Sequence, residues 1–234
     1  MTQKPIQRRG ADLTKDQIGL GYDKIAEKVF VSENFYNECL DVVKDWRGKI
    51  LEVGVGQGVV LARIQKRGGA RLEKLYGIDL SWKLIRIAKD NVPEAEISYG
   101  DAEQLGFEHD FFDLVVMIDT FQYLQNFKQA LDETRRVLKR GGRFLVTVPN
   151  KDWLLFDVYL KRRKNIQPVE DYFFTYDEIK HMLESSGFRV LKYKGVDALR
   201  FYGWQHKIFD RLAALIFRRL NKRMKKIIFL CEKT

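Results

Sequence analysis

Ile50-Leu51-Glu52-Val53-Gly54-Val55-Gly56-Gln57-Gly58 sets an apolar strand directly before three glycines at alternate positions, and Val59-Val60-Leu61-Ala62-Arg63-Ile64 continues in helical pattern. Strand, glycine turn and helix in that order constrain the fold more than any other feature of the chain. Without Cβ, the turn can take positive φ and let its backbone approach a ligand, while the first amides of the helix stay free to donate. The spacing also excludes two nucleotide-binding turns. A dinucleotide fingerprint needs glycine at position 59, which is Val, and no Gly-Lys-Ser/Thr follows for a phosphate loop.

From residue 49 onward short apolar runs alternate with longer helical stretches, the pattern of βαβ units and a parallel sheet. Strands are expected at Lys49–Val53, Leu72–Ile78, Glu96–Tyr99, Phe112–Ile118, Arg143–Val148, Arg189–Tyr193 and Lys226–Cys231. Helices are expected at Val59–Lys66, Trp82–Asn91, Asn126–Lys139 and Tyr176–Ser185. Gly141-Gly142 behind Lys139 and Arg140 reads as a helix stop with cations in the last turn. Residues 12–45 read as a helical preface, with Ile18, Tyr22, Ile25, Ala26 and Val29 at helical steps. Leu199–Arg223 fits a helix inserted between the last two strands. Ile208, Phe209, Leu212, Leu215, Ile216 and Leu220 share one side, interrupted by Arg219.

The net charge of +10 is local. Between Leu199 and Lys226 nine basic residues face one acid, Asp210, so an anionic partner is expected to meet the C-terminal region. Packing on the domain is the first reading of this stretch. Peripheral contact with an anionic membrane through residues 199–226 is the second. Cys39 and Cys231 have no His or Cys neighbours at ligand spacing, so neither disulfide nor metal is expected and both read as small buried residues. No apolar run reaches bilayer length and the polar start lacks a signal segment, which predicts a cytoplasmic protein.

Further acids follow the strands. Asp79 closes the second strand, 21 residues after Gly58, where a carboxylate can accept from both hydroxyls of a ribose. Ser81 is placed to cap the next helix. Gly100-Asp101-Ala102 follows the third strand, and the fourth runs from Phe112 into Ile118-Asp119-Thr120-Phe121-Gln122-Tyr123. Arg136 to Val146 supply a helix end, a glycine pair and a fifth strand. Taken in this order, the segments resemble class I S-adenosylmethionine-dependent methyltransferases over roughly residues 22–234, of the Rossmann-like type with small-molecule or lipid acceptors.

The resemblance implies an α/β, doubly wound, mostly parallel seven-stranded sheet with an antiparallel last strand. It implies one domain over 1–234, comprising a helical lid at 12–45, a cofactor-binding half at 49–150 and an acceptor half at 151–234 with the insertion 199–223. The implied cofactor is S-adenosyl-L-methionine. Glu52 would organise its amino group beside Gly54, Gly56 and Gly58, Asp79 with Leu80 its ribose, and Asp101 with Ala102 the adenine edge. Ile118 and Asp119 would face the methyl, and Tyr22 completes the expected set.

Methyl transfer from a sulfonium is an in-line displacement with a good leaving group, so alignment and dehydration do most of the work and a base is optional. Many relatives carry His where Tyr123 stands, so no family-type base is available. His206, Tyr123 and Tyr22 are the catalytic candidates, while His109 and His181 read as solvated or packed. An acceptor pocket is expected from among Tyr22, Trp153, Phe156, Tyr159, Tyr172, Phe201 and Trp204. Two other functions remain at this point. One is a cofactor-binding partner subunit without turnover, opposed by the intact glycines and ribose acid. The other is nucleic-acid methylation, suggested by Lys161-Arg162-Arg163-Lys164 and opposed by the absence of an Asn/Asp-Pro-Pro-Tyr/Phe tetrad after strand four.

Overall fold

A computed structural model describes residues 9–10, 12–28, 33–153, 155–162, 166–196 and 221–234. Seven strands form one sheet: β1 (Gly48–Val53), β2 (Leu72–Asp79), β3 (Glu96–Tyr99), β4 (Phe112–Met117), β5 (Leu138–Pro149), β6 (Phe188–Val196) and β7 (Lys226–Lys233). Their order is β3-β2-β1-β4-β5-β7-β6. The first five are parallel, and β7 runs antiparallel to both β5 and β6. This is the doubly wound sheet with an antiparallel last strand that the alternating pattern and the resemblance called for.

Helices cover both faces because the strands bury side chains on both. Ile50, Leu114, Val116 and Leu145 pack with α2 (Glu33–Leu40), α3 (Val59–Gly68) and α4 (Trp82–Asn91). Leu51, Val115, Met117 and Phe144 pack on the other side with α5 (Phe127–Val137) and α7 (Tyr176–Ser185). Neighbouring residues of one strand thus serve opposite cores, which is why these strands read as continuous apolar runs. Both cysteines are buried, and burial pushes the Cys231 thiol up to about 12.

The helical preface is two helices. α1 (Lys15–Ile25) opens on a capping box between Thr14 and Gln17. A 3₁₀ turn at Ala26–Lys28 follows, then α2. α1 lies against the end of β2 at close range: a Cβ on Gly19 would stand 2.1 Å from the Leu80 carbonyl oxygen. The Asp23 carboxylate accepts from Ser81 Oγ at 2.5 Å and from Lys83 N at 2.9 Å. Ser81 itself caps α4 by accepting from Leu84 N.

The expected helix stop at Gly141-Gly142 is overturned. α5 ends at Val137, and β5 starts at once with Leu138 paired to Phe112. The two glycines lie in a bulge where the register jumps from Leu138 to Arg143. A helix α6 (Phe156–Arg162), which the pattern did not mark, follows β5. Most of the insertion, with Phe201, Trp204 and His206, lies outside the described residues. Its end is a 3₁₀ turn at Asn221–Arg223.

Candidate active site

In an open parallel sheet, ligands bind beyond the carboxyl ends of the strands where the strand order reverses. Here that point lies between β1 and β4. Gly54 leaves β1 with φ +74°, and its N–H donates to the Ile78 carbonyl at 2.8 Å. A side chain there would collide with Thr120, whose Oγ1 is 2.2 Å from the position of a Cβ. Gly56, at φ +53°, has nothing within 4 Å of that position. One glycine is therefore needed for packing, and the other leaves space for a ligand.

That space is a cavity of about 170 Å³. Ten of the eleven residues expected to hold the cofactor line it: Tyr22, Glu52, Gly54, Gly56, Asp79, Leu80, Asp101, Ala102, Ile118 and Asp119. Gly58 is the exception. It caps the start of α3 and donates to the Val55 carbonyl at 2.8 Å, and a Cβ there would stand 3.1 Å from Ala88 Cα. Sequence reasoning missed Lys15, Tyr36, Gln57 and Thr120, which also line the cavity.

The acids differ in what they already hold. Glu52 is 3% exposed, and among the described residues its Oε2 is buried with no hydrogen-bond partner. Burial, and then the neighbouring Asp79 charge, push its carboxyl well above the ordinary range. An orphaned buried acceptor of this kind suits a cationic amino group. Asp79 accepts from Gly56 N at 2.9 Å through Oδ2 and from Ser81 N at 3.0 Å through Oδ1. Burial raises its pKa while these amides pull it back. Each oxygen keeps a lone pair, so the loop aims the carboxylate without exhausting it. Asp101 accepts from Glu103 N at 3.0 Å and pairs with Lys15 at 3.3 Å, a tie from α1 to the far wall.

Asp119 is a non-glycine residue at φ +55°. Both its oxygens take Lys226 Nζ at 2.6 Å, and that ammonium also lies 4.0 Å from the centre of the Phe35 ring. The first residue of β7 thus fixes the end of β4, a partnership with no local sequence signal.

Asp119 and Tyr123 also line a second cavity, of about 110 Å³. Trp153, Phe156, Tyr159 and Phe173 form its aromatic walls, and Gln122, Asn150, Asp171, Lys225 and Lys226 its polar ones. Trp153, Phe156 and Tyr159 were expected in an acceptor pocket. Tyr22 lines the first cavity instead and meets the Tyr123 ring edge to face at 6.2 Å between centres. Tyr172 lines neither of the two cavities. It packs on Phe127 and Phe174 and is 37% exposed.

Burial, Asp79 and Asp171 push the Tyr22 phenol far above its ordinary value. Burial and Asp171 do the same for Tyr123, which also donates a hydrogen bond to Asp171. Both phenols therefore keep their protons near neutrality, and that of Tyr123 is already given to Asp171. His109 and His181 are exposed. No group of three or more metal-ligating side chains occurs among the described residues, and no helix among them is long and apolar enough to cross a membrane.

A family model described as a methyltransferase domain matches residues 51–146. The chain is 29% identical over 204 residues to a demethylmenaquinone methyltransferase of Thermotoga maritima, covering 72% of this chain and 86% of that protein. It is 30% identical over 164 residues to a malonyl-acyl-carrier-protein O-methyltransferase of Geobacter sulfurreducens, covering 66% of this chain and 60% of that one. Among solved structures, the cyclase SpnF superposes with a TM-score of 0.70 at 19% identity, covering 94% of this chain and 96% of SpnF. That likeness speaks for the fold alone, since one fold hosts many reactions. The match to the methyltransferase domain and the methyltransferase relatives supply the chemistry. Residues 51–146 match a methyltransferase domain, and the chain is an S-adenosylmethionine-dependent methyltransferase similar to those of class I, with S-adenosyl-L-methionine as its cofactor.

Proposed function

We propose that the chain methylates a small-molecule or lipid-like acceptor held in the second cavity, by in-line transfer past Asp119 and Tyr123. The observation that carries this reading is the junction itself. The cavity suited to the cofactor and the aromatic-walled cavity share those two residues and no others among the described residues. The relatives support it through their names, one specifying a demethylmenaquinone acceptor and the other a malonyl group on a carrier protein.

The donor set fits the cofactor, whose sulfonium supplies the transferable methyl. Glu52 Oε2 would take the amino group, Asp79 the ribose hydroxyls, and Asp101 with the Ala102 amide the adenine edge. The glycine turn would pass under the methionine portion, with Tyr22 covering it from α1. Lys226 holds Asp119 in place at the junction, and the aromatic walls exclude water from the line of transfer. Tyr123, whose one phenol proton is given to Asp171, would orient the acceptor by accepting a hydrogen bond through its oxygen.

Titration calorimetry with S-adenosylmethionine and S-adenosylhomocysteine, followed by mass spectrometry of a cell extract incubated with protein and isotopically labelled cofactor, tests the reading. Binding of both ligands and a labelled small or lipid-like product are expected. Label found only in RNA or protein would overturn the acceptor assignment.

A further inference from the structure

We propose that Asn150 is a positioning residue for methyl transfer, acting through Lys226 to hold the Asp119 carboxylate where the two cavities meet; this rests on the function proposed for that junction. Asn150 directly follows β5, is 1% exposed and lines the second cavity. Phe174 holds its backbone from one side, donating its N–H to the Pro149 carbonyl at 3.1 Å and accepting from Lys151 N at 2.9 Å. The side chain therefore stands on a fixed base.

From that base the amide reaches the end of the insertion. Nδ2 donates to the Lys222 and Met224 carbonyls, both at 2.8 Å and 72 and 74 residues away along the chain, while Oδ1 accepts from Asp152 N at 3.0 Å. The Asn150 N–H adds a bond of 2.9 Å to the Lys225 carbonyl. Two carbonyl partners and one N–H partner fix which way round the amide stands, and both its protons are spent on backbone. None is left for an acceptor. An Asp here would set a carboxylate against two carbonyls, and an apolar side chain would leave both without a donor.

The segment held in this way is the one that delivers Lys226. Opposite Lys226 in the sheet stands Pro149, which has no N–H for the ladder, so the bonds from Asn150 supply the hold just before β7 begins. Lys226 Nζ then meets both Asp119 oxygens at 2.6 Å. The Asp119 N–H is taken by Thr147 Oγ1 at 2.9 Å, which fixes the backbone there and leaves the carboxylate to Lys226. A simple turn after β5 would need only the bond to Asp152. The reach to Lys222, Met224 and Lys225 serves the junction.

Brief acetylation of the full chain with limiting acetic anhydride, read lysine by lysine by mass spectrometry, tests this without turnover and so separately from the acceptor assignment. Lys226 is 20% exposed and paired with Asp119, while Lys233, at the other end of β7, is 13% exposed and paired with Asp110. Both are expected to react slowly in the parent. N150A and N150D are each expected to speed modification of Lys226 roughly fivefold or more, with Lys233 keeping its parent rate. Affinity for S-adenosylhomocysteine should stay within about threefold of the parent, and labelled product should fall roughly tenfold or more. In a Lys226→Ala background, N150A should lower product by less than about twofold further, because the route is already cut. An unchanged Lys226 rate in both variants would overturn the proposal. So would an equal rise at Lys233, which would mean that β7 loosens as a whole, or additive losses in the double variant, which would mean that Asn150 does not act through Lys226.

Discussion

The two cavities meet at Asp119 and Tyr123 yet are built on different principles. Glycine turns and strand-end carboxylates line the first. Two of those carboxylates, Glu52 and Asp79, are held above their ordinary pKa by burial, and Glu52 keeps an unpartnered oxygen. In the second cavity the charges are already matched: Asp119 is held by Lys226, Asp171 accepts from Tyr123, and Lys225 lies over two rings. A site that keeps unsatisfied charge is committed to one complementary ligand. A site that neutralises its own charge behind aromatic walls would select by shape and ring contact rather than by charge.

The largest effect expected from this contrast is at Asp79. Asp79→Ala removes the ribose acceptor and also frees Gly56 N and Ser81 N, so the glycine turn loses its anchor. Affinity for S-adenosylhomocysteine should fall by about a hundredfold, a loss of two charge-assisted hydrogen bonds. Calorimetry giving an unchanged affinity would remove Asp79 from the proposed site.

Glu52→Gln should separate stability from binding. The folded pKa of Glu52 lies above its unfolded value near 4.3, so folding favours the protonated form. The stabilisation from this group is fully present below the unfolded value and declines as pH rises through the folded one. The ligand-free protein should therefore lose stability relative to Glu52→Gln on passing from acid to neutral pH, as read by paired melting curves. The variant should at the same time bind cofactor roughly tenfold or more weakly, having lost a charged partner for the amino group. A variant both less stable at neutral pH and unimpaired in binding would contradict the picture of an orphaned carboxylate.

These two cavities also differ in how far the sequence discloses them. Glu52 and Asp79 stand at the carboxyl ends of strands, and Asp101 two residues past one, so position along the chain gives position in the site. Lys226 reaches Asp119 across 107 residues, and Asp171 reaches Tyr123 from an irregular segment. Neither link leaves a periodicity to read. Gly141-Gly142 misled for a local reason: glycine after cations suits a helix end and a strand bulge equally, and pairing of Leu138 with Phe112 decides between them. Gly19 shows the opposite case, a glycine inside a helix whose reason, contact with the Leu80 carbonyl, exists only once α1 is docked.

Lys226→Ala tests the link between the cavities. The Asp119 carboxylate would lose both contacts, and its residue, already at positive φ, would be free to relax. Cofactor affinity should fall only about threefold, since the ion pair is partly solvent-exposed. Methyl transfer in the labelled-extract assay should fall further, because alignment suffers more than binding. Equal losses in both would place Lys226 in cofactor binding rather than at the junction.

The smallest effect on the first cavity, and the sharpest test of independence, comes from Trp153→Ala. Trp153 packs edge to face on Tyr159 at 5.9 Å between ring centres, and it lines the second cavity only. Its loss opens apolar volume and releases one of the two rings beneath Lys225, leaving Glu52, Asp79 and Asp101 untouched. Calorimetry should therefore return the parent affinity for S-adenosylhomocysteine. Product formation from labelled cofactor should drop or change its acceptor profile, because a lost wall alters which shapes are held in line. An affinity reduced by more than about threefold, a coupling beyond the additivity expected of separate sites, would mean that the two cavities behave as one.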